Sequence, residues 1–413
     1  MGTVIARMAA SGEKPYRVYR GGRDKGKVPL ERRDRESRRA QRSDGQGPGK
    51  ITKKSDRRRL WFGWSRRRWI LVSILGLFLL VVIWGVAGYL SVASGVSAAN
   101  ARLPNGVRPL LAPDQGLLYS NPTNILLVGT DHATGRGSQG RSVDQHSDSL
   151  TLLRTEPGRG RLVYLSIPRD LQTTIPGYGD QKINAAMQLG GAPLAIKTID
   201  QLLGKSLQIN HVVFVDFNQF VSLIDAIGGI TVDVPENILS NKFDCPYPAQ
   251  RCAAWPGWRF HKGPTHMTGH EALIFSRIRE NQLPGGGSFT DFTRQHDQQL
   301  VEQATLAKLS SPTRFFSLPF DGSSLLAPIA TDLSTWQLLQ LAWVKFRSSA
   351  GNDLHCRLGG TPEQIGGQDF IVGGEQNIAV LDEVLGNSAP QAPPKGSLYG
   401  PGCVVGSSAG LLK

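Results

Sequence analysis

The sequence lacks the features that mark the commonest nucleotide-binding and nucleic-acid-binding proteins. It has no P-loop and no internal repeat, which excludes the usual ATPase and repeat-protein architectures. Its net charge of +14 is confined to the front of the chain, because residues 1–68 hold 22 of the 47 Lys and Arg but only 7 of the 33 Asp and Glu. The rest of the chain has no basic excess, so we expect no nucleic-acid partner for it.

A second absence is local, since no charged residue occurs in the 22 residues from Trp69 to Leu90. As a helix this run is about 33 Å long, enough to cross a hydrocarbon core of about 30 Å. A cleaved signal peptide is the alternative, but the run is longer than a typical secretory core and begins far from the amino terminus. Arginines crowd the side before the span and are few after it, which predicts a cytoplasmic amino terminus and an extracellular remainder. Those before it are Arg57, Arg58, Arg59, Arg66, Arg67 and Arg68, and those soon after it are Arg102 and Arg108.

Cysteine is scarce, with four residues in 413. An even number in an exported domain predicts two disulfides, the first joining Cys245 and Cys252 across a proline-rich loop. Cys356 and Cys403 remain as the second pair. A structural zinc is the alternative, but these spacings do not match a zinc ribbon or finger.

Composition divides the chain into five parts. They are a disordered basic cytoplasmic tail (1–68), a transmembrane helix (69–90), an extracellular spacer (91–120), a catalytic domain (121–386) and a Gly/Pro/Ser-rich carboxy-terminal tail (387–413). We expect the basic tail to set the membrane topology and to be attracted to anionic membrane lipid. The alternative is that it docks a cytoplasmic partner or nucleic acid.

Three short apolar runs, 125–128, 150–153 and 162–167, have the branched side chains of buried strands. Helical spacing follows in 192–203, and strand and helix patterns then alternate through residue 234. The pattern predicts an α/β fold, a three-layer sandwich around a central mixed, mostly parallel sheet.

Acids and bases stand at the ends of these predicted strands. They are Asp131, Asp148, Arg169 and Asp170, and Lys182 follows the next Gly-rich loop. Ligands of open α/β sheets bind beyond strand ends, so we expect these side chains to face one crevice rather than separate loop surfaces. Two carboxylates suit Mg²⁺ or Mn²⁺, and a metal beside Arg and Lys suits a phosphate or diphosphate.

Further candidates lie between residues 261 and 294. Arg277 and Arg279 are two apart, which places them on one face of a strand, and Asp291 is a candidate cap of a helix that carries Arg294 in its first turn. The alternative is an Arg-Asp surface network. A zinc site on His261, His266 and His270 is disfavoured because Gly269 interrupts the helix it needs. The long segment 236–262 is a lid, a binding loop or an insertion.

Several segments, in order, resemble the LytR-CpsA-Psr family of membrane-anchored bacterial enzymes that move cell-wall glycopolymers from a polyprenyl carrier to peptidoglycan. They are NILLVGTD, HSDSLTLLR, LVYLSIPRDL, KINAA, DAIGGITVDVP, GHEALIFSRIR and the D-x-x-R that opens a Gln-rich helix. Together they cover about residues 121–309, with weaker similarity to about residue 385. The resemblance implies an α/β domain whose apolar groove shelters the polyprenyl chain.

The resemblance also assigns roles by position. It implies that Asp131 and Asp148 bind the metal, and that the diphosphate is bound by Arg169, Arg277, Arg279 and Arg294 with help from Lys182 and Gln298. The family's loop arginine corresponds to Arg136 or Arg141, of which Arg141 is the candidate. The chain departs from the family pattern at Asp297, where an arginine is usual, and this change is expected to weaken diphosphate binding or shift substrate choice.

The implied activity is a metal-dependent phosphotransferase that moves a glycopolymer from a polyprenyl-diphosphate carrier to a peptidoglycan hydroxyl. Asp170 or Asp291 is the candidate proton acceptor, beside Arg169 and Lys182 as catalytic residues. The implied partners are the lipid-linked glycan, peptidoglycan and membrane lipid. Two alternatives stay open, a polyprenyl-diphosphate phosphatase and a non-catalytic lipid-binding regulator of the envelope that acts as a transcriptional attenuator.

Overall fold

The computed structural model describes residues 66–130, 147–284 and 291–406, together with Ser408 and Leu411. The predictions for residues 1–65 and for Asp131, Arg136 and Arg141 lie outside the described residues.

Helices and strands alternate along most of the described chain. In chain order, the helices are α1 (Arg66–Ala101), α2 (Ala185–Leu203), α3 (Phe217–Ala226), α4 (Ala249–Cys252), α5 (Gly269–Phe275), α6 (Asp291–Leu309), α7 (Pro312–Leu326), α8 (Thr335–Arg347) and α9 (Glu375–Leu385). The strands are β1 (Thr123–Thr130), β2 (Ser147–Glu156), β3 (Arg161–Ser166), β4 (Gln172–Ile175), β5 (Gly179–Lys182), β6 (His211–Asp216), β7 (Ile230–Val234), β8 (Ile238–Leu239), β9 (Arg259–Phe260), β10 (Gly263–Met267), β11 (Ala330–Thr331), β12 (Leu354–Arg357), β13 (Thr361–Ile365), β14 (Gln368–Val372) and β15 (Gly402–Val405).

Seven strands form the central sheet in the order β11-β6-β1-β2-β3-β12-β15. The sheet is mixed as predicted, but the expectation of a mostly parallel sheet is wrong. Only the β1–β6 and β3–β12 pairings are parallel, and the other four are antiparallel. The reason is local, because β2 and β3 are joined by a short turn at 157–160 and so return side by side in opposite directions. The predicted strand β7 also lies outside this sheet, where it pairs with β10.

Alternate residues of the central strands pack on opposite faces. Leu126, Leu152 and Leu165 belong to the core that includes Ile196 of α2 and Val384 of α9. Their neighbours, Ile125, Leu153 and Tyr164, pack on the other face with Val344 of α8 and Leu306 of α6. Two helix layers therefore enclose the sheet, and the predicted three-layer α/β sandwich is confirmed.

Recognisable sequence signals mark the ends of several of these helices. The helical spacing over 192–203 lies in α2, which ends at Gly204. Helix α3 begins at a capping box in which the Asp216 side chain accepts from the Gln219 amide, and α8 begins at the same motif with Ser334 as its cap.

The predicted spacer at 91–120 is wrong. Helix α1 continues through the predicted end of the span to Ala101 and packs against α7, so closely that a Cβ at Gly95 would lie 2.8 Å from the Ser323 carbonyl oxygen. Val107 and Leu118 are fully buried in the domain. Small and apolar side chains in this segment therefore join α1 to the domain instead of separating them.

The carboxy-terminal segment is also part of the fold. Its strand β15 closes the central sheet at β12, where Cys356 and Cys403 are joined by a disulfide. Cys245 and Cys252 are joined as well, across the loop between β8 and β9. The structure thus contains both predicted pairs, and the tail from residue 387 is held to the domain through β15.

Candidate functional site

The charged residues at the strand ends meet at one edge of the central sheet. Strands β1 and β6 are parallel and end together, with Thr130 opposite Asp216. Strand β3 ends at the same edge, while β2, which is antiparallel to both β1 and β3, begins there. Asp148, Arg169 and Asp170 consequently line a single cavity, as their positions at strand ends predicted.

Arg169 lies at the centre of this charged cluster. Its Nη1 is 2.9 Å from Oδ1 of Asp148, and its Nε is 3.4 Å from Oδ2 of Asp170. The other carboxylate oxygen of Asp170 is 3.0 Å from Nζ of Lys182. Two cations and two carboxylates therefore alternate along the wall, and all four side chains keep about a fifth to a quarter of their surface exposed.

The backbone fixes this arrangement. Lys182 ends β5, which forms a hairpin with β4, and the residue lies opposite Gln172. Just beyond it, the Asn184 amide donates to the Arg169 carbonyl oxygen at 3.2 Å, and the Ile183 amide donates to the Leu171 carbonyl oxygen at 2.9 Å. The segment containing Arg169 and the segment containing Lys182 are thus held together by main-chain hydrogen bonds.

Arg277 and Arg279 also line the cavity, but the predicted strand is wrong, because both follow the last turn of α5. Arg277 pairs with Asp244, and its guanidinium carbon lies 4.8 Å from the centre of the Phe217 ring. Asp244 has a φ of 46° in the segment 236–262, next to the Cys245–Cys252 disulfide. That long segment therefore reaches the site, where Asp244 pairs with Arg277 and where Asn241 and Phe243 line the cavity.

Helix α6 contributes Arg294 and Gln298, both of which line the cavity. Gln298 Nε2 donates to the Ser276 carbonyl oxygen at 3.4 Å, which ties α6 to the turn that carries Arg277. Asp291 is the first residue of α6.

Asp297 is fully buried, 3.5 Å from His296, and is not part of the cavity wall. Burial raises the pKa of Asp297.

Beyond the charged cluster the cavity becomes apolar and extends between the sheet and helices α6, α7 and α8. Its volume is about 1590 Å³, larger than the few hundred to thousand Å³ usual for small-ligand sites. Its apolar wall includes Ile125, Leu127, Leu153, Val213, Phe220, Val301, Leu306, Leu325, Leu341 and Trp343. A cavity of this shape accommodates a long apolar chain with an anionic end.

One acid, Glu302, lies in this apolar part. Its Oε1 accepts a hydrogen bond from Thr151 Oγ1 at 3.1 Å. Burial raises the pKa of Glu302 to about 7, because the ionised form loses its hydration there. Near neutral pH the carboxyl group is therefore partly protonated.

The oxygen donors on the cavity wall suit the predicted metal. The described residues contain no group of three or more His, Cys, Asp and Glu side chains that could hold an ion. Asp148, one of the two predicted ligands, supplies a hard oxygen donor on the cavity wall. Mg²⁺ keeps water and phosphate oxygens among its ligands and needs only one or two carboxylates, so this donor set fits it.

His266 lies on β10 and His270 on α5, so these two do not share a helix.

The family model of the LytR_cpsA_psr family matches residues 100–379, more than half of the chain. The chain belongs to the LytR_cpsA_psr family. It is 32% identical over 284 residues to the polyisoprenyl-teichoic acid–peptidoglycan teichoic acid transferase TagU of Bacillus mycoides (strain KBAB4), covering 66% of this chain and 82% of that protein.

Two solved structures share the LytR_cpsA_psr fold with this chain. The crystal structure of TagV from B. subtilis has a TM-score of 0.50 and 24% identity, covering 65% of this chain and 97% of that chain. A structure of TagT bound to LI-WTA has a TM-score of 0.51 and 21% identity, covering 69% and 97%.

Three residues in or beside the cavity of this LytR_cpsA_psr protein were not predicted from the sequence. Asp216 ends β6 at the same edge as β1, so the strand-end rule applied to the HVVFVDF segment would have found it. Asn184 is in the KINAA segment beside the predicted Lys182. Asp244 had no signal, because nothing in the segment 236–262 indicates which of its residues turns toward Arg277.

Proposed function

We propose that this protein is a membrane-anchored phosphotransferase that moves a glycopolymer from a polyprenyl-diphosphate carrier to a hydroxyl group of peptidoglycan. The observation that carries the proposal is the continuity of the Arg169 cluster with a long apolar cavity. The arginines and Lys182 suit a diphosphate, and the apolar part suits the lipid chain attached to it. The teichoic acid transferase activity named for the TagU relative agrees with this assignment.

The chemistry is a displacement at phosphorus. The acceptor hydroxyl oxygen attacks the phosphorus next to the glycan, the bond from that phosphorus to the bridging oxygen breaks, and polyprenyl phosphate leaves with the electron pair. A phosphodiester now joins glycan and acceptor. Arg169, Arg277, Arg279 and Arg294 stabilise the negative charge that grows on the leaving phosphate.

The acceptor hydroxyl loses its proton during this step. Asp170 is the proposed proton acceptor because it lines the cavity beside Arg169, and Asp291 at the start of α6 is the alternative acceptor. Lys182 and Arg169 hold the Asp170 carboxylate from two sides and fix its orientation.

Asp131 and Asp148 are the proposed ligands of Mg²⁺. When bound, the ion would neutralise diphosphate oxygens and orient the reacting phosphorus. Asp148 also contacts Arg169, so the carboxylate that would hold the ion lies beside the arginine that would bind the diphosphate.

Helix α1 is the proposed anchor. Among the described residues it is the one helix long and apolar enough to cross a membrane. The arginines before it support an amino terminus in the cytoplasm, which would put the cavity outside, on the side where peptidoglycan lies.

Product analysis tests the proposal. The full chain is incubated in vesicles with a polyprenyl-diphosphate-linked glycan, with and without peptidoglycan. A transferase forms glycan linked to peptidoglycan by a phosphodiester and releases polyprenyl phosphate only when acceptor is present. Equal release without acceptor would show a phosphatase instead.

The non-catalytic alternative makes a different prediction about the basic tail. Deletion of residues 1–56 would abolish inward signalling by a regulator. A transferase that acts outside the membrane keeps restoring wall attachment after this deletion. Loss of restoration in a variant that still reaches the membrane would favour the regulator.

A further inference from the structure

Two helices beside the anchor expose an unusual amount of apolar surface. On α8, Trp336, Leu339, Trp343 and Phe346 are 58%, 37%, 51% and 66% exposed, and their spacing places them along one side of the helix. On α7, Phe316 and Phe320 are 65% and 85% exposed, one turn apart. We call these six side chains the aromatic face.

We propose that the aromatic face lies in the outer leaflet of the membrane, so that the apolar cavity opens directly into lipid. The proposal rests on the proposed role of α1 as a membrane anchor. Its occupant is bilayer lipid, because the face is continuous with α1. Tryptophan and phenylalanine are also the side chains that membrane interfaces favour.

Contacts with α1 fix the depth of α7. The Trp84 and Phe316 rings lie 6.0 Å apart between centroids, and Trp84 Nε1 donates to the Phe316 carbonyl oxygen at 3.3 Å. Trp84 precedes Leu90, the last residue of the predicted span, by six residues, or about 9 Å of helix. If α1 crosses the membrane, Phe316 therefore lies within the outer leaflet.

Helix α7 cannot move away from this position without breaking close contacts. The Ser323 amide donates to Ser91 Oγ at 3.2 Å, and a Cβ at Gly322 would lie 3.1 Å from the Val92 amide nitrogen. Its exposed Phe320 lies between the depths set by Trp84 and by Ser91.

The same face borders the opening of the cavity. Phe316, Trp343 and Phe346 line the cavity and are also at least half exposed. These three residues therefore lie at the mouth of the cavity. Val92 of α1 lines the cavity as well. A polyprenyl chain would thus pass from the bilayer into the cavity without crossing water, whereas its diphosphate would reach the Arg169 cluster at the sheet edge.

Fluorescent labels test the placement independently of catalysis. Phe320 does not line the cavity and is exposed, so Phe320→Cys leaves the core intact. Ile378 on α9, 64% exposed and on the opposite helix layer, provides the matched control as Ile378→Cys. Each full-length variant is labelled with a maleimide fluorophore and reconstituted in vesicles of phosphatidylglycerol and brominated phosphatidylcholine.

The label at 320 should be quenched several-fold more by brominated lipid than the label at 378, and several-fold less by iodide present on both sides of the membrane. Iodide quenching equal to that at 378 would overturn the proposal. Protection from both quenchers, together with a dimeric protein, would overturn it in favour of a second copy on this face. If the label at 320 is quenched by lipid but transfer fails, the membrane face stands and the proposed function falls.

Discussion

Nη1 of Arg169 lies 2.9 Å from Oδ1 of Asp148, although 21 residues separate them along the chain. The contact joins the end of β3 to the start of β2 at the edge of the central sheet. Since Arg169 also contacts Asp170, which in turn contacts Lys182, loss of this one guanidinium would separate Asp148 from the Asp170–Lys182 pair.

Replacement of Arg169 by alanine should reduce transfer from a lipid-linked donor by about 100-fold or more, because it removes a fixed donor to the diphosphate. Arg169→Lys should recover little activity, since one ammonium cannot reach both Asp148 and Asp170 as the guanidinium does. Initial rates of phosphodiester formation measure both effects. Arg259→Ala, an exposed position away from the cavity, is the matched control. Unchanged turnover in folded Arg169→Ala would remove Arg169 from the site.

Replacement of Asp148 by asparagine should weaken binding of Mg²⁺. The change keeps the size of the side chain but removes the charge that a hard cation prefers. Addition of Mg²⁺ should raise the melting temperature of the full chain in detergent and should raise it less in Asp148→Asn. Asp233→Asn, on the exposed face of β7, is the control. Equal responses in all three proteins would contradict a metal role for Asp148.

Glu302 should make the protein less stable as the pH rises. Its pKa in the folded protein is about 7 against 4.5 for the exposed group, so between these values the unfolded chain releases a proton that the folded protein keeps. Glu302→Gln removes this effect and can still accept the hydrogen bond from Thr151. The variant should exceed the parent in free energy of unfolding by up to about 3 kcal/mol at pH 8, with no difference near pH 4.5. Urea unfolding at both pH values measures this, and a difference independent of pH would contradict it.

The two disulfides should differ in their contribution to stability. Cys245 and Cys252 are separated by 7 positions, whereas Cys356 and Cys403 are separated by 47. In the chain-entropy model, loss of the first costs about 2 kcal/mol and loss of the second about 4 kcal/mol. Non-reducing peptide mass spectrometry establishes the pairing, and unfolding of the two double Cys→Ser variants measures the cost. Free thiols in protein purified from an oxidising compartment would contradict the assignment.

Strand ends carried most of the site prediction. The branched runs of β1, β2 and β3 and the charges at their ends predicted that Asp148, Arg169 and Asp170 line one cavity. Lys182, after the next Gly-rich loop, was predicted to join them. Because this inference requires only that strand ends meet at one edge, it holds although the expectation of a mostly parallel sheet is wrong.

Features set by tertiary packing could not be predicted from the sequence. The segment after Leu90 is rich in small residues and proline, which is typical of a spacer, yet those small residues allow α1 to approach α7. Likewise, Asp297 stands at the position of an expected diphosphate ligand, but its side chain is buried beside His296. Sequence spacing locates Asp297 on α6 but does not indicate which neighbour that side of the helix meets.

The most direct test of the central claim is a native mass spectrum of the full chain, purified in mild detergent from bacterial membranes that contain polyprenyl-linked glycans. We expect a bound polyprenyl phosphate or diphosphate species in the parent protein. We also expect loss of the diphosphate species in Arg169→Ala but not in Arg259→Ala. Protein that carries only ordinary phospholipid, or the same adducts in all three proteins, would contradict the assignment of the Arg169 cluster as a diphosphate site.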